Sequence, residues 1–195
     1  MKIVGFEKSS LIDYPGKISA VVFTQGCNFR CSYCHNPQLV YPHLFTQLLS
    51  IDGIFEFLEI RKKLLDAVTI SGGEPTLQRG LIPFIEKIKN MGFLVKLDTN
   101  GSMPDILKEI LTNGLIDFVA MDIKAPFEKY DRVCDVGVCI IKIKESIRMI
   151  EASGISFQFR TTYDTDLLED RDLQEIRSFL NKPDSLLIQE CLKRN

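Results

Sequence analysis

The stretch GCNFRCSYCHN, residues 26–36, sets Cys27, Cys31 and Cys34 within eight positions of one another. Thiols spaced this closely bind soft metals, and two chemistries compete for them. A tetrahedral zinc site closes its shell with four ligands, and His35 would supply the fourth. Zinc ligands usually arrive as two pairs from separate turns, whereas C-x3-C-x2-C is a compact triplet able to wrap one corner of an iron–sulfur cube. Three thiolates on a four-iron cluster leave one iron without a protein ligand, and a small molecule can chelate it there.

Other residues with chemical potential sit where β-branched runs end. SGGEP (71–75) reads either as a tight strand-to-helix connection or as a cradle in which Gly72 and Gly73 let backbone approach a ligand, with Glu74 alongside. LDTNG (97–101) ends in a good turn dipeptide, but Asp98 is costly on a parallel strand unless something binds it. MDIKAP (121–126) repeats the situation with Asp122 and Lys124, two apart and so on one face, where they form either an ion pair or a ligand contact. In FQFRTT, Arg160 alternates out of phase with Phe157 and Phe159, facing an anionic ligand or pairing with Asp98 or Asp122. Asp13, in DYPG, has a turn reading nearly as good as a functional one. The two histidines, His35 and His43, receive no acid–base role.

Six β-branched runs are predicted as strands to carry these residues: 18–24, 66–71, 93–98, 117–123, 155–161 and 185–190. Segments with apolar residues three or four apart lie between them, and Gly92, Gly114 and Gly154 end three of those as helix C-caps. The rhythm is that of βα units on a parallel sheet. The longest departures are the cysteine loop and the segment from Phe127 to Val138. Six units are too few to close an eight-fold barrel, leaving a doubly wound sheet or an open partial barrel, and in both the ligand lies beyond the carboxyl ends of the strands. The chain stops five residues past the sixth run with no closing helix, so the expectation is an open edge or a truncated chain.

Bulk properties narrow the class. With 195 residues, 45% hydrophobic and 26% charged, the chain can bury a sizeable core and is expected to form one domain over 1–195. A formal charge of -2 gives no general attraction for nucleic acid. The N-terminus lacks the apolar core of a signal peptide and no run is long enough to span a bilayer, so a cytoplasmic protein without a membrane partner is expected. In that compartment six cysteines are thiols or metal ligands rather than structural disulfides. Cys134, Cys139 and Cys191 lie outside the triplet; C-x4-C could seed a second cluster, but scattered thiols are more often incidental.

The motif CNFRCSYC, with Tyr33 before the third cysteine, resembles the signature of the radical S-adenosylmethionine superfamily. More narrowly, SSLIDYPGKISAVVFTQGCNFRCSYCHNPQLV, ISGGEPTLQ, LDTNG, VAMDIKAP and FRTTY are similar to glycyl-radical-enzyme activases, closest to those of anaerobic ribonucleoside-triphosphate reductases. The resemblance implies a partial (β/α)6 TIM-type barrel, one [4Fe–4S] cluster on Cys27, Cys31 and Cys34, and S-adenosylmethionine on the open iron. It places Tyr33, Asn36, Gly72, Gly73, Glu74, Asp98, Asp122, Lys124, Arg160 and Gln189 around that cofactor, Gln189 standing where some activases carry a histidine. It puts Asp13 in the substrate cleft and suggests a monovalent cation held by Asp98, Thr99 and Asp122. The implied partners are a glycyl radical enzyme as protein substrate and flavodoxin or ferredoxin as electron donor. A rival is a radical enzyme acting on a small molecule, similar to a carboxydeazaguanine synthase.

Overall fold

The computed structural model describes residues 1–191. Strands β1 (Ile3–Ser10), β2 (Ser19–Thr24), β3 (Ala67–Gly72), β4 (Leu94–Thr99), β5 (Phe118–Asp122), β6 (Ser156–Tyr163) and β7 (Leu186–Glu190) form one sheet in chain order. The first pair is antiparallel and the rest are parallel. Helices α1 (Ile51–Arg61), α2 (Leu81–Asn90), α3 (Pro104–Thr112), α4 (Tyr130–Cys134), α5 (Ile140–Ala152) and α6 (Asp170–Ser178) occupy the crossovers. The sheet stays unclosed, as an open partial barrel, with β1 and β7 at its two edges.

The six expected strands are β2 to β7; the sheet has a seventh, β1, which pairs with β2 at the front edge. Its sequence, IVGFEKSS, hides the strand because it lacks a long apolar run or clean alternation, and only one of its residues is fully buried. An edge strand paired on one side needs neither. Gly5 belongs to this pairing, since a Cβ there would lie 3.1 Å from the Phe23 ring.

The helices follow local signals. In α2, Leu81, Phe84, Ile85 and Ile88 are buried at helical spacing on one stripe. Ser50 caps α1 by accepting from the Gly53 amide at 3.2 Å. Gly92, Gly114 and Gly154 all take positive φ just past their helices, as their positions suggested. On the helix-facing side, Val68, Ile70, Val95, Leu97, Val119 and Met121 join the helix stripes in one apolar core. A smaller cluster of Tyr14, Ala67, Phe118 and Ala120 closes the base of the inner face. Period-2 alternation then sends Ser71, Asp98, Asp122, Arg160 and Gln189 to the inner face at the strands' carboxyl ends. Among the described residues no helix is long and apolar enough to cross a membrane.

Candidate active site

The cysteine loop is tied to the sheet by its backbone. The Gly26 amide donates to the Leu39 carbonyl at 2.7 Å, the Glu74 amide to the Gly26 carbonyl at 2.9 Å, and the Arg30 amide to the Cys134 carbonyl at 2.8 Å. The Arg30 guanidinium donates to the Cys27 and Phe29 carbonyls at 2.6 and 2.8 Å, fixing the turn between the first two cysteines. Asn100 spans the gap to β4, donating to Asn28 Oδ1 at 3.0 Å. Cys31 is buried, and Cys27 and Cys34 are half-buried beside it.

The thiols differ electrostatically. Burial pushes Cys27 up to about 11. A hydrogen bond from the Cys134 thiol outweighs the burial of Cys31 and holds its pKa below the usual thiol value. Cys134 is raised in turn by the same contact, and it lies with Cys31 in the apolar core. This thiol is thus packed against the triplet at Cys31, and Cys139 is exposed at the start of α5. None of the six cysteines is joined in a disulfide. Among the described residues no three of His, Cys, Asp and Glu converge on a point suited to a single ion. Cysteines that each hold a different iron of one cube need no such convergence.

Gly72 and Gly73 make the close approach between this loop and β3 possible. Gly72 has φ +113, and a Cβ on it would stand 2.3 Å from the Thr24 amide nitrogen; one on Gly73 would stand 2.2 Å from the Gly26 carbonyl oxygen. Pro75 opens a single 3-10 turn (Pro75–Leu77), with α2 following only at Leu81. Glu74 is fully buried and faces inward to the protein. Its carboxylate accepts from the Thr76 amide at 3.0 Å, the Thr76 hydroxyl, the Thr99 hydroxyl at 2.7 Å and the Asn100 amide at 2.6 Å. Burial raises its pKa despite these donors.

The inner-face charges form a ladder. Lys96 bonds Asp98 Oδ1; Asp98 Oδ2 accepts from Ser71 at 3.0 Å and Arg160 Nη1 at 3.2 Å. Arg160 Nε continues to Asp122 Oδ1 at 2.7 Å, and Asp122 Oδ2 accepts from Lys124 at 3.1 Å. Burial opposes ionisation of Asp122, but Lys124 and Arg160 override it and hold the carboxyl well below the usual range. Lys124 and Arg160 are raised for the reciprocal reason, against the burial that would lower them. The ion-pair and ligand-facing alternatives are thus compatible, because the paired groups still open into the cleft.

That cleft, of about 380 Å³, gathers every expected site residue: the three cysteines, Tyr33 and Asn36 from the loop, Gly72 to Glu74, the ladder acids with Thr99, Lys124 and Arg160, Gln189 at the far rim and Asp13 at the near one. Asp13 accepts from Ser10 Oγ at 2.5 Å, so its turn and its place in the cleft coexist. Ser71, Asn100 and Thr162 also line it. Of the residues not anticipated, Lys96 carried the signal already used for Asp98, a charge inside an apolar strand. Cys134 carried none, since its contact with Cys31 depends on the fold of α4.

Residues 21–182 match the Radical SAM superfamily, and the chain belongs to it. The chain is 35% identical over 193 residues to a protein of Methanocaldococcus jannaschii named as a candidate glycyl-radical enzyme activating enzyme, covering 96% of this chain and 79% of that one. It is 37% identical over 133 residues to the pyruvate formate-lyase-activating enzyme of Clostridium pasteurianum, covering 63% of this chain and 52% of that one. The fold matches the AdoMet-bound structure of anSMEcpe with a TM-score of 0.65 at 18% identity, over 87% of this chain and 50% of that one. The chain thus spans only about half the length of some of the proteins it matches. It is a radical S-adenosylmethionine enzyme, using a [4Fe–4S] cluster and that cofactor.

The residues present fit both groups. Three thiols share one loop, and two glycines leave no room for a Cβ beside it. The Tyr33 hydroxyl is buried in the cleft wall beside the Cys31 thiol.

Proposed function

We propose that this protein is an activase that generates a glycyl radical on a partner enzyme, and that the partner is an anaerobic ribonucleoside-triphosphate reductase. The observation that carries the reading is the convergence of the cysteine triplet, the glycine pair and the charge ladder on one cleft open at the sheet edge. An open barrel suits a protein substrate, because a glycine-bearing loop of another chain must reach its middle. The likeness to named activating enzymes supports the general activity, and the resemblance of the motifs over nearly the whole chain supports the choice of partner.

Bound here, a [4Fe–4S] cluster and S-adenosylmethionine would supply the radical chemistry that removes a hydrogen from the glycine Cα of the partner. This chain's residues position and enclose. Cys27, Cys31 and Cys34 would hold three irons of the cluster, and Gly72 and Gly73 would let backbone approach the amino group of the methionine moiety. Lys124 and Arg160 would offer positive charge to its carboxylate, and Tyr33 and Asn36 would border it on the loop side. Asp13 borders the path of the incoming glycine, and Gln189 closes the far rim. Flavodoxin or ferredoxin is the electron donor in this reading.

The test mixes reduced, cluster-loaded protein and cofactor with candidate glycyl radical enzymes. A glycine-centred EPR doublet in the reductase, with deoxyadenosine formed in step, is the expected result. Doublets only in pyruvate formate-lyase would move the activase to that partner, and steady deoxyadenosine turnover on a small molecule with no second chain would overturn the activase reading. Cys31→Ala is expected to abolish deoxyadenosine release while leaving the far-UV circular dichroism unchanged.

A further inference from the structure

The base of the charge ladder is a lysine. Lys96 lies on the inner face of β4, two residues before Asp98, and its side chain is 4% exposed. It bonds Asp98 Oδ1 and lies 6.0 Å from the centre of the Phe118 ring, while Tyr14 packs against that ring at 5.7 Å and covers it from below. The ammonium is therefore sealed inside the sheet between a carboxylate and an aromatic floor. A buried cation persists only when something fixes its charge in place.

The oxygens expected to hold a monovalent ion are already engaged. Asp98 Oδ1 is taken by Lys96, and Asp98 Oδ2 by Ser71 and Arg160. Asp122 gives one oxygen to Arg160 and the other to Lys124, and the Thr99 hydroxyl donates to Glu74 while accepting from the Gly101 amide at 3.1 Å. The residue set does not fit a sodium or potassium ion. It carries three cationic side chains against two carboxylates, so the ladder holds a net positive charge without any ion.

Resting on the assignment of S-adenosylmethionine to this cleft, we propose that the Lys96 ammonium is the resident cation of its floor, replacing a monovalent metal ion, and that cofactor binding here is independent of sodium and potassium. Lys96 is a positioning residue: it acts through Asp98, keeping that carboxylate neutralised and aligned with Arg160 on the inner face of the cleft.

The test is cofactor binding to cluster-loaded full-length protein, by calorimetry, in choline, sodium and potassium chloride at one ionic strength. The wild type is expected to bind equally in all three. Lys96→Met, which keeps the length and loses the charge, is expected to weaken binding by about tenfold in choline and to recover in sodium or potassium as the ion enters the vacated place. Without cluster or cofactor, the same variant is expected to melt higher in potassium than in choline, a salt response absent from the wild type. Wild-type binding that strengthens about tenfold when sodium or potassium replaces choline overturns the proposal. So does a Lys96→Met protein that binds normally in choline, or one weakened equally in every salt. Should the variant not fold, the wild-type comparison decides alone. Loaded wild type that fails to bind the cofactor in every buffer would instead remove the cofactor assignment, and the proposal with it.

Discussion

Gly73 has its backbone pressed against the Gly26 carbonyl, at a separation that excludes any side chain. Because Gly26 immediately precedes the first cluster cysteine, the requirement for glycine and the placement of the thiols are one constraint. Gly73→Ala is expected to push the cysteine loop off β3, lowering iron bound after anaerobic reconstitution well below the wild-type amount and lowering the melting temperature. At this scale the sequence was informative wherever residue type alone implied a partner: three thiols, paired glycines, acids and an arginine at apolar strand ends. It was silent where meaning depends on tertiary contact. Glu74 reads as a charge beside a ligand, yet it is spent on four donors from the β3 and β4 loops, which only the juxtaposed strand ends reveal.

Among the elements, α6 shows how local signals secure a position far from the site. Glu169 and Asp172 form a reciprocal capping box, and Lys129 bonds Asp172 at 2.8 Å, linking α6 to the turn before α4. Burial would raise the Asp172 carboxyl, but the Lys129 hydrogen bond wins and depresses it. A depressed carboxylate contributes stability that is full above its unfolded value, near 3.8, and is lost as pH falls through the lower folded value. Asp172→Asn is therefore expected to cost about 1 kcal/mol in urea denaturation at pH 7, and the difference should vanish in strong acid. The helices were legible because stripe, cap and glycine agree. β1 was not, because an edge strand with one bulged, antiparallel neighbour needs no hydrophobic pattern.

For the molecule as a whole, the parallel strands decide the function-bearing geometry. Each delivers its carboxyl end to the same rim, so residues from Asp13 to Gln189 meet in one cleft without being near in sequence. The core between sheet and helices fixes that register, and Ile85 in α2 sits wholly within it. Ile85→Ala is expected to cost about 2–5 kcal/mol in denaturant while leaving cofactor affinity of the folded protein unchanged. The class of fold was legible from six βα units. The choice between a doubly wound sheet and an open barrel was legible only through the resemblance of the motifs, since it turns on curvature and on the pairing of β1, neither of which periodicity records.

The Glu74 knot gives the rim a particular mechanics. One carboxylate grips the ends of β3 and β4, and its own amide holds the start of the cysteine loop. A change at any of these three places is therefore passed to the other two, so the mouth is built as one connected hoop rather than as independent fingers.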